Sequence, residues 1–188
     1  MTVISIGAWC IIAHYLKSMG LKGPTLPFDW SFSNLRNVID ILSFGICYYL
    51  DKEQDLWPKY YINGYNLHYP HHDVSIIENC EMLNRSYQRL KDKINSKERL
   101  VFLHFVPYSF DHDIENIEII RDKILEENPE CDFKIVSIVH NETLNDNTKE
   151  NKYYDLVNIK CTTPWKDDNW CAIDDRDRVE RIIRKYNL

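Results

Sequence analysis

The sequence predicts an α/β fold, a single-domain three-layer sandwich around a mostly parallel sheet, with a nucleophile-like cysteine at the first strand–helix turn. Three observations point there. Short β-branched apolar runs alternate with segments whose apolar residues recur at helical spacing. At 188 residues and 44% hydrophobic, the chain is long enough for one well-packed core and short for two. The first apolar run, Val3-Ile4-Ser5-Ile6, passes through Gly7-Ala8-Trp9 directly into Cys10 and an amphipathic segment.

Residues 3–6 read as a short strand. From Cys10, the apolar positions Ile11, Ile12, Tyr15, Leu16 and Met19 mark a helix that stops at Gly20. Gly23-Pro24 and Pro27 break the chain, so Pro27-Phe28-Asp29-Trp30 is extended or a turn. Ser31 or Ser33 is expected to cap a second helix with Leu35, Val38, Ile39 and Leu42 inward, ending near Gly45. Residues 51–73 are aromatic and irregular, suited to short hairpin strands or an ordered loop. A third helix is expected from about Ser75 to Ile94, with Ile76, Cys80, Leu83, Tyr87, Leu90 and Ile94 on one side. Arg99 to Phe105 is the clearest buried strand. A helix carrying Ile114, Ile117, Ile120 and Ile124 follows and ends at Asn128-Pro129. Phe133–Val139 and Leu156–Ile159 are further strands. The last helix runs from Arg176 to Tyr186 with Val179, Ile182, Ile183 and Tyr186 at helical spacing. No repeat, low-complexity stretch or linker interrupts this order, so residues 1–188 read as one α/β domain.

A formal charge of −6 with no basic run argues against nucleic acid and against an anionic membrane surface as partners. Six cysteines at irregular spacing, with no Cys-x-x-Cys, argue against a zinc ribbon or a thioredoxin-type site. The N-terminus lacks a signal-peptide pattern, and no apolar stretch approaches the roughly 18 residues of a spanning helix. Reduced thiols in a cytoplasmic setting are the expectation. Aromatic residues make up 13% of the chain, which suits a cleft for a peptide, acyl or carbohydrate substrate and suits a large core equally well.

In open parallel sheets, sites form at the carboxyl ends of strands. Three loops would gather there: Gly7 to Cys10, the segment after Phe105, and the segment that begins at His140. A thiol at the start of a helix meets the positive end of the macrodipole, a setting that favours thiolate. Its other reading is a small buried hydrophobe at a strand–helix corner. Gly7 permits a tight turn, and the amides of Ala8, Trp9 and Cys10 are placed to bind an oxyanion or phosphate.

Among the histidines, His14 reads as a surface residue, His104 as a satisfied core histidine and His112 as a turn residue. His140 ends a strand at the functional edge and is a candidate base. His71-His72-Asp73 is the densest titratable cluster, but adjacent histidines diverge, so no metal is expected there. No cofactor is expected. Asp29 sits between the aromatics Phe28 and Trp30 and must be paired, or be protonated; it reads as a helix cap or as the orienter of a histidine or arginine.

Ser5-x-Gly7-x-x-Cys10, then Leu21 to Thr25 and Pro27-Phe28-Asp29-Trp30, then Tyr69 to Asp73 and Tyr87-Gln88-Arg89, resemble the motifs of the putative papain-like cysteine peptidases, a family of bacteria and large DNA viruses. The resemblance implies Cys10 as nucleophile, His72 or His71 as base and Asp29 as orienting acid. Gly7, Ala8, Trp9, Phe28, Trp30 and His140 would then face the substrate. The order of elements, a strand, a tight turn, Cys10 and a helix followed by β-α-β units, looks more like an esterase-type or nucleotide-sugar-binding α/β domain than like papain. Three functions follow as expectations. The first is a cysteine-dependent hydrolase acting on an acyl or amide bond. The second is a glycosyltransferase-like, nucleotide-sugar-binding domain with a structural Cys10. The third is a non-enzymatic interaction module.

Overall fold

A computed structural model describes residues 1–7, 10–31, 33–45, 49–50, 60–62, 65–67, 76–107, 112–162 and 173–186. Its elements in chain order are β1 (Thr2–Ser5), α1 (Ile11–Ser18), α2 (Leu35–Phe44), β2 (Tyr49–Leu50), β3 (Tyr60–Ile62), β4 (Tyr65–Leu67), α3 (Ile77–Ile94), β5 (Leu100–Pro107), α4 (Ile114–Glu127), β6 (Phe133–Asn141), β7 (Asn147–Glu150), β8 (Tyr154–Lys160) and α5 (Arg176–Tyr186). A 3-10 turn over Ile173–Asp175 leads into α5.

The main sheet has strand order β1-β5-β6-β8-β7. Its first four strands are parallel, and β7 lies antiparallel at the edge against β8. Strand alternation sends successive side chains to opposite faces. On one face, Val101, Leu103 and Phe105 of β5, Val136 and Ile138 of β6, and Val157 and Ile159 of β8 pack beneath α1 and α5. On the other, Ile4, Phe102, Ile135 and Leu156 pack beneath α2, α3 and α4. The edge-to-face pair of Phe102 and Phe133, with centroids 6.1 Å apart, belongs to this second core. Helices on both faces of a mostly parallel sheet are the three layers that the sequence predicts. Among the described residues no helix is long and apolar enough to cross a membrane.

Several local expectations need correction. The cap of α2 is Asn34, not Ser31 or Ser33. Its Oδ1 accepts from the Asn37 amide at 3.0 Å while Asn37 Oδ1 accepts from the Asn34 amide at 3.0 Å, a reciprocal box with an amide side chain in the third position. On that helix Ile41 is fully buried, and Leu42 packs only at the margin. Ile76 precedes α3 and is 46% exposed, so it lies off the apolar stripe. Strand β7 has no signal in the sequence, because Asn147-Thr148-Lys149-Glu150 is exposed throughout and has no apolar alternation. Its charges suit an edge. Within the aromatic segment, β3 and β4 pair as the short hairpin strands expected there, and β2 joins them in a small antiparallel sheet.

Candidate functional site at the carboxyl edge of the sheet

The first strand continues beside β5 beyond its last paired residue. The Ile6 amide donates to the Leu103 carbonyl at 2.9 Å, and the Phe105 amide donates to the Gly7 carbonyl at 3.0 Å. Gly7 then turns with φ +110°, in the region that L side chains rarely adopt. Cys10 follows as the residue that precedes α1, and its carbonyl accepts the first helical bond, from His14 N at 2.9 Å. The Cys10 side chain makes no capping hydrogen bond. The first-turn N–H groups therefore remain outside the intrahelical ladder.

The Cys10 side chain is largely buried, at 8% exposure. Burial pushes its thiol up, and its own backbone amide works against that without reversing it. The resting side chain is therefore a thiol, and a base must take its proton before it can attack. Ser33 packs against Gly7 in this turn. Its Oγ is buried and has no hydrogen-bond partner among the described residues, as has Ser5 Oγ. Buried hydroxyls are ordinarily paired, so an orphaned one beside the turn is a polar group free to receive a ligand atom.

His140 lies at the end of β6, in register with Pro107 and Ile159, on the face covered by α1 and α5. Its ring stacks obliquely on Phe105, with centroids 5.9 Å apart. Its Nε2 lies 2.9 Å from Asp175 Oδ2, and both residues are buried. Asp175 also accepts from the Thr162 amide at 2.9 Å and from Arg178 Nη1 at 2.7 Å. Burial pushes the Asp175 carboxyl up, but the Thr162 amide, His140 and Arg178 outweigh it and hold the group at about 2. Arg178 is fixed in turn by the Asp146 carboxylate and the Lys160 carbonyl. Cys161 follows β8 directly, and its amide donates to the Asn141 carbonyl at 2.9 Å. Its sulfur, a ring nitrogen of His140 and a carboxylate oxygen of Asp175 all lie within 4.8 Å of one another.

The opposite face of the same edge carries a polar chain. His104 Nδ1 lies 3.2 Å from Ser137 Oγ, His112 Nδ1 lies 2.9 Å from the same oxygen, and His112 Nε2 lies 2.9 Å from Asn158 Oδ1. Asn158 Nδ2 donates to Asn147 Oδ1, so its Oδ1 faces the His112 N–H. Neutral rings accommodate all three contacts when His104 Nδ1–H donates to Ser137, Ser137 O–H donates to His112 Nδ1, and His112 Nε2–H donates to Asn158. Burial, and after it the neighbouring His112, push His104 down to about 3. His104 is the satisfied core histidine that the sequence suggests; His112 is the less expected member.

The Pro27–Trp30 segment points elsewhere. Phe28 is fully buried in the core with Ile4 and Ile6. Trp30 is half-buried and meets the exposed His14 edge-on, with centroids 5.4 Å apart. Asp29 Oδ2 accepts from the Leu26 amide at 2.6 Å and from Lys22 Nζ at 2.6 Å. Burial raises the Asp29 carboxyl, opposed by Lys22, the Leu26 amide and Arg89. Arg89 donates through Nε and Nη2 to the Thr25 carbonyl, at 3.0 and 2.6 Å, and so clamps this loop onto α3.

Asp29, Lys22 and Arg89 line a cavity of about 610 Å³ with Met1, Thr2 and Val3, at the amino end of β1. Cys10 is at the other end, with α1, about 12 Å long, between the two. The structure therefore joins Cys10 with Gly7 and Ser33 at one edge, with His140 two strands away on the same face, and gives Asp29 to Lys22 at the opposite edge. Ala8, Trp9, His71, His72 and Asp73 lie outside the described residues. Cys161 could have been picked out from the sequence, since it directly follows the last parallel strand. Asp175 carries no local signal.

No curated protein and no solved structure matches the chain. Residues 1–54, which hold Gly7, Cys10 and Pro27–Trp30, match a family model described as "Putative papain-like cysteine peptidase". The match covers 54 of 188 residues and supports the family that the motifs resemble, the putative papain-like cysteine peptidases.

Proposed function

We propose that the protein is a cysteine-dependent hydrolase of acyl or amide bonds, with Cys10 as its nucleophile. The observation that carries this reading is the position of Cys10. It stands at the head of α1, at the carboxyl edge of the sheet, inside the segment that matches a cysteine-peptidase family.

In this reading a base takes the Sγ proton as sulfur attacks the carbonyl carbon. The resemblance gives the base role to His72 or His71. His140 is the candidate among the described residues, because Asp175 holds its ring. The first-turn amides of α1 receive the developing oxyanion, and the orphaned Ser33 hydroxyl is a further donor beside Gly7. The base returns its proton to the leaving amine or alcohol. Water, deprotonated by the same base, then releases the acyl group from the thioester.

The test is acid-quenched incubation with a panel of activated acyl and peptidyl esters, followed by peptide mass mapping and turnover assays. An acyl adduct is expected on Cys10, and Cys10→Ala should lower turnover by roughly a thousandfold or more while leaving the circular dichroism unchanged. Turnover retained in Cys10→Ala would sink the reading.

A further inference from the structure

A second cluster lies on the same carboxyl edge as the Cys10 turn, where β6 and β8 end side by side. His140 and Cys161 come from these adjacent strands, and Asp175 from the 3-10 turn ahead of α5. We propose that His140, Cys161 and Asp175 form a binding site for one divalent metal ion of the zinc type, with water in the fourth position. Three residues distant in sequence place three different donors, N, S and O, within 4.8 Å of one another.

Tetrahedral zinc, with bonds of about 2.0 to 2.3 Å, holds its donors roughly 3.3–3.7 Å apart. Side-chain rotations of about an ångström therefore close the set around an ion. The donor types also select the ion. A thiolate disfavours magnesium and calcium, which take oxygen ligands, and an imidazole with a thiolate and a carboxylate suits zinc.

All three groups are buried, and the outer contacts that orient a metal ligand are already built. The Thr162 amide and Arg178 grip Asp175, and Asp146 with the Lys160 carbonyl grips Arg178. The ion takes the place of the hydrogen bond between His140 Nε2 and Asp175 Oδ2: the metal-bound ring carries its N–H on Nδ1, and the Cys161 thiol proton passes to solvent. Cys10 is no part of this site, and in the hydrolase reading an ion on His140 leaves the base role to His72 or His71.

The full chain, stripped with a chelator, is titrated with Co²⁺ alone and then with Zn²⁺ alone. The expected result is one equivalent of Co²⁺ with the visible bands of a four-coordinate ion and a near-ultraviolet thiolate-to-cobalt charge-transfer band, all displaced by Zn²⁺. Cys161→Ala should remove the charge-transfer band and weaken binding by more than about 100-fold, beyond the effect of losing an outer-shell contact. Cys161→Ser serves if the alanine variant does not fold. Cys10→Ala should leave the titration unchanged. No binding by folded wild-type protein at equimolar ion overturns the proposal. So does a charge-transfer band that survives in both Cys161 variants, or one that is lost in Cys10→Ala.

Discussion

The carbonyl oxygen of Ser33 lies so close to Gly7 that a Cβ at residue 7 would stand 2.8 Å from it. This contact joins the segment ahead of α2 to the end of β1 and fixes the entrance to the Cys10 turn. It also explains why glycine stands at this position, since φ of +110° excludes a side chain on its own account.

Gly7→Ala is accordingly expected to destabilise the fold by about 2 kcal/mol or more, the combined cost of a strained backbone and a blocked close approach. Thermal denaturation should show a fall of several degrees. A melting temperature equal to that of the wild type would mean that the turn is not built as described.

The His104–Ser137–His112 chain predicts acid sensitivity. His104 is held at about 3 in the fold, against about 6.5 in an unfolded chain. Between those values the unfolded state binds the extra proton. Stability is therefore full above pH 6.5 and declines as pH falls toward 3, with about 2 kcal/mol lost by pH 5. His104→Gln should flatten the slope between pH 5 and 6.5 in urea titrations. Ser137→Ala should cost about 1–3 kcal/mol at neutral pH, by stranding two ring nitrogens.

Lys22, partly exposed, pairs with the buried Asp29, so Lys22→Met leaves a buried carboxylate without its cation and should destabilise the protein by roughly 3 kcal/mol at pH 7.5. The folded carboxyl of Asp29 is already raised and would rise further without the ammonium. A raised carboxyl in the fold means that the folded state takes up a proton more readily than the unfolded one. The variant's deficit should therefore narrow as pH falls from 7.5 toward 4. Equal deficits at pH 7.5 and pH 5 would show that Asp29 does not need this partner.

Local periodicity made most of the elements legible. The stripe Ile11, Ile12, Tyr15, Leu16 marks α1 because one face of that helix is buried, and the apolar runs mark β5, β6 and β8 because both faces of those strands are covered. Where burial does not act, the signal disappears. β7 is exposed on every side chain and buries no apolar residue, and it is held by its backbone ladder to β8 and by polar side-chain contacts. Asn34 takes the cap from the two serines because its partner, Asn37, lies in the right turn to return the bond.

By itself, the sequence determined the α/β alternation, the glycine turn at residue 7 and the placement of Cys10 at the head of a helix, since each shows as a pattern within a few residues. Only the tertiary structure decided which distant side chains share a site. Strand order set His140 beside Cys161, and the turn before α5 brought in Asp175 from 35 residues beyond His140. The run of α1 along the sheet carried Asp29 to Lys22 at the edge opposite Cys10. Such juxtapositions come from packing between layers, which no local spacing encodes.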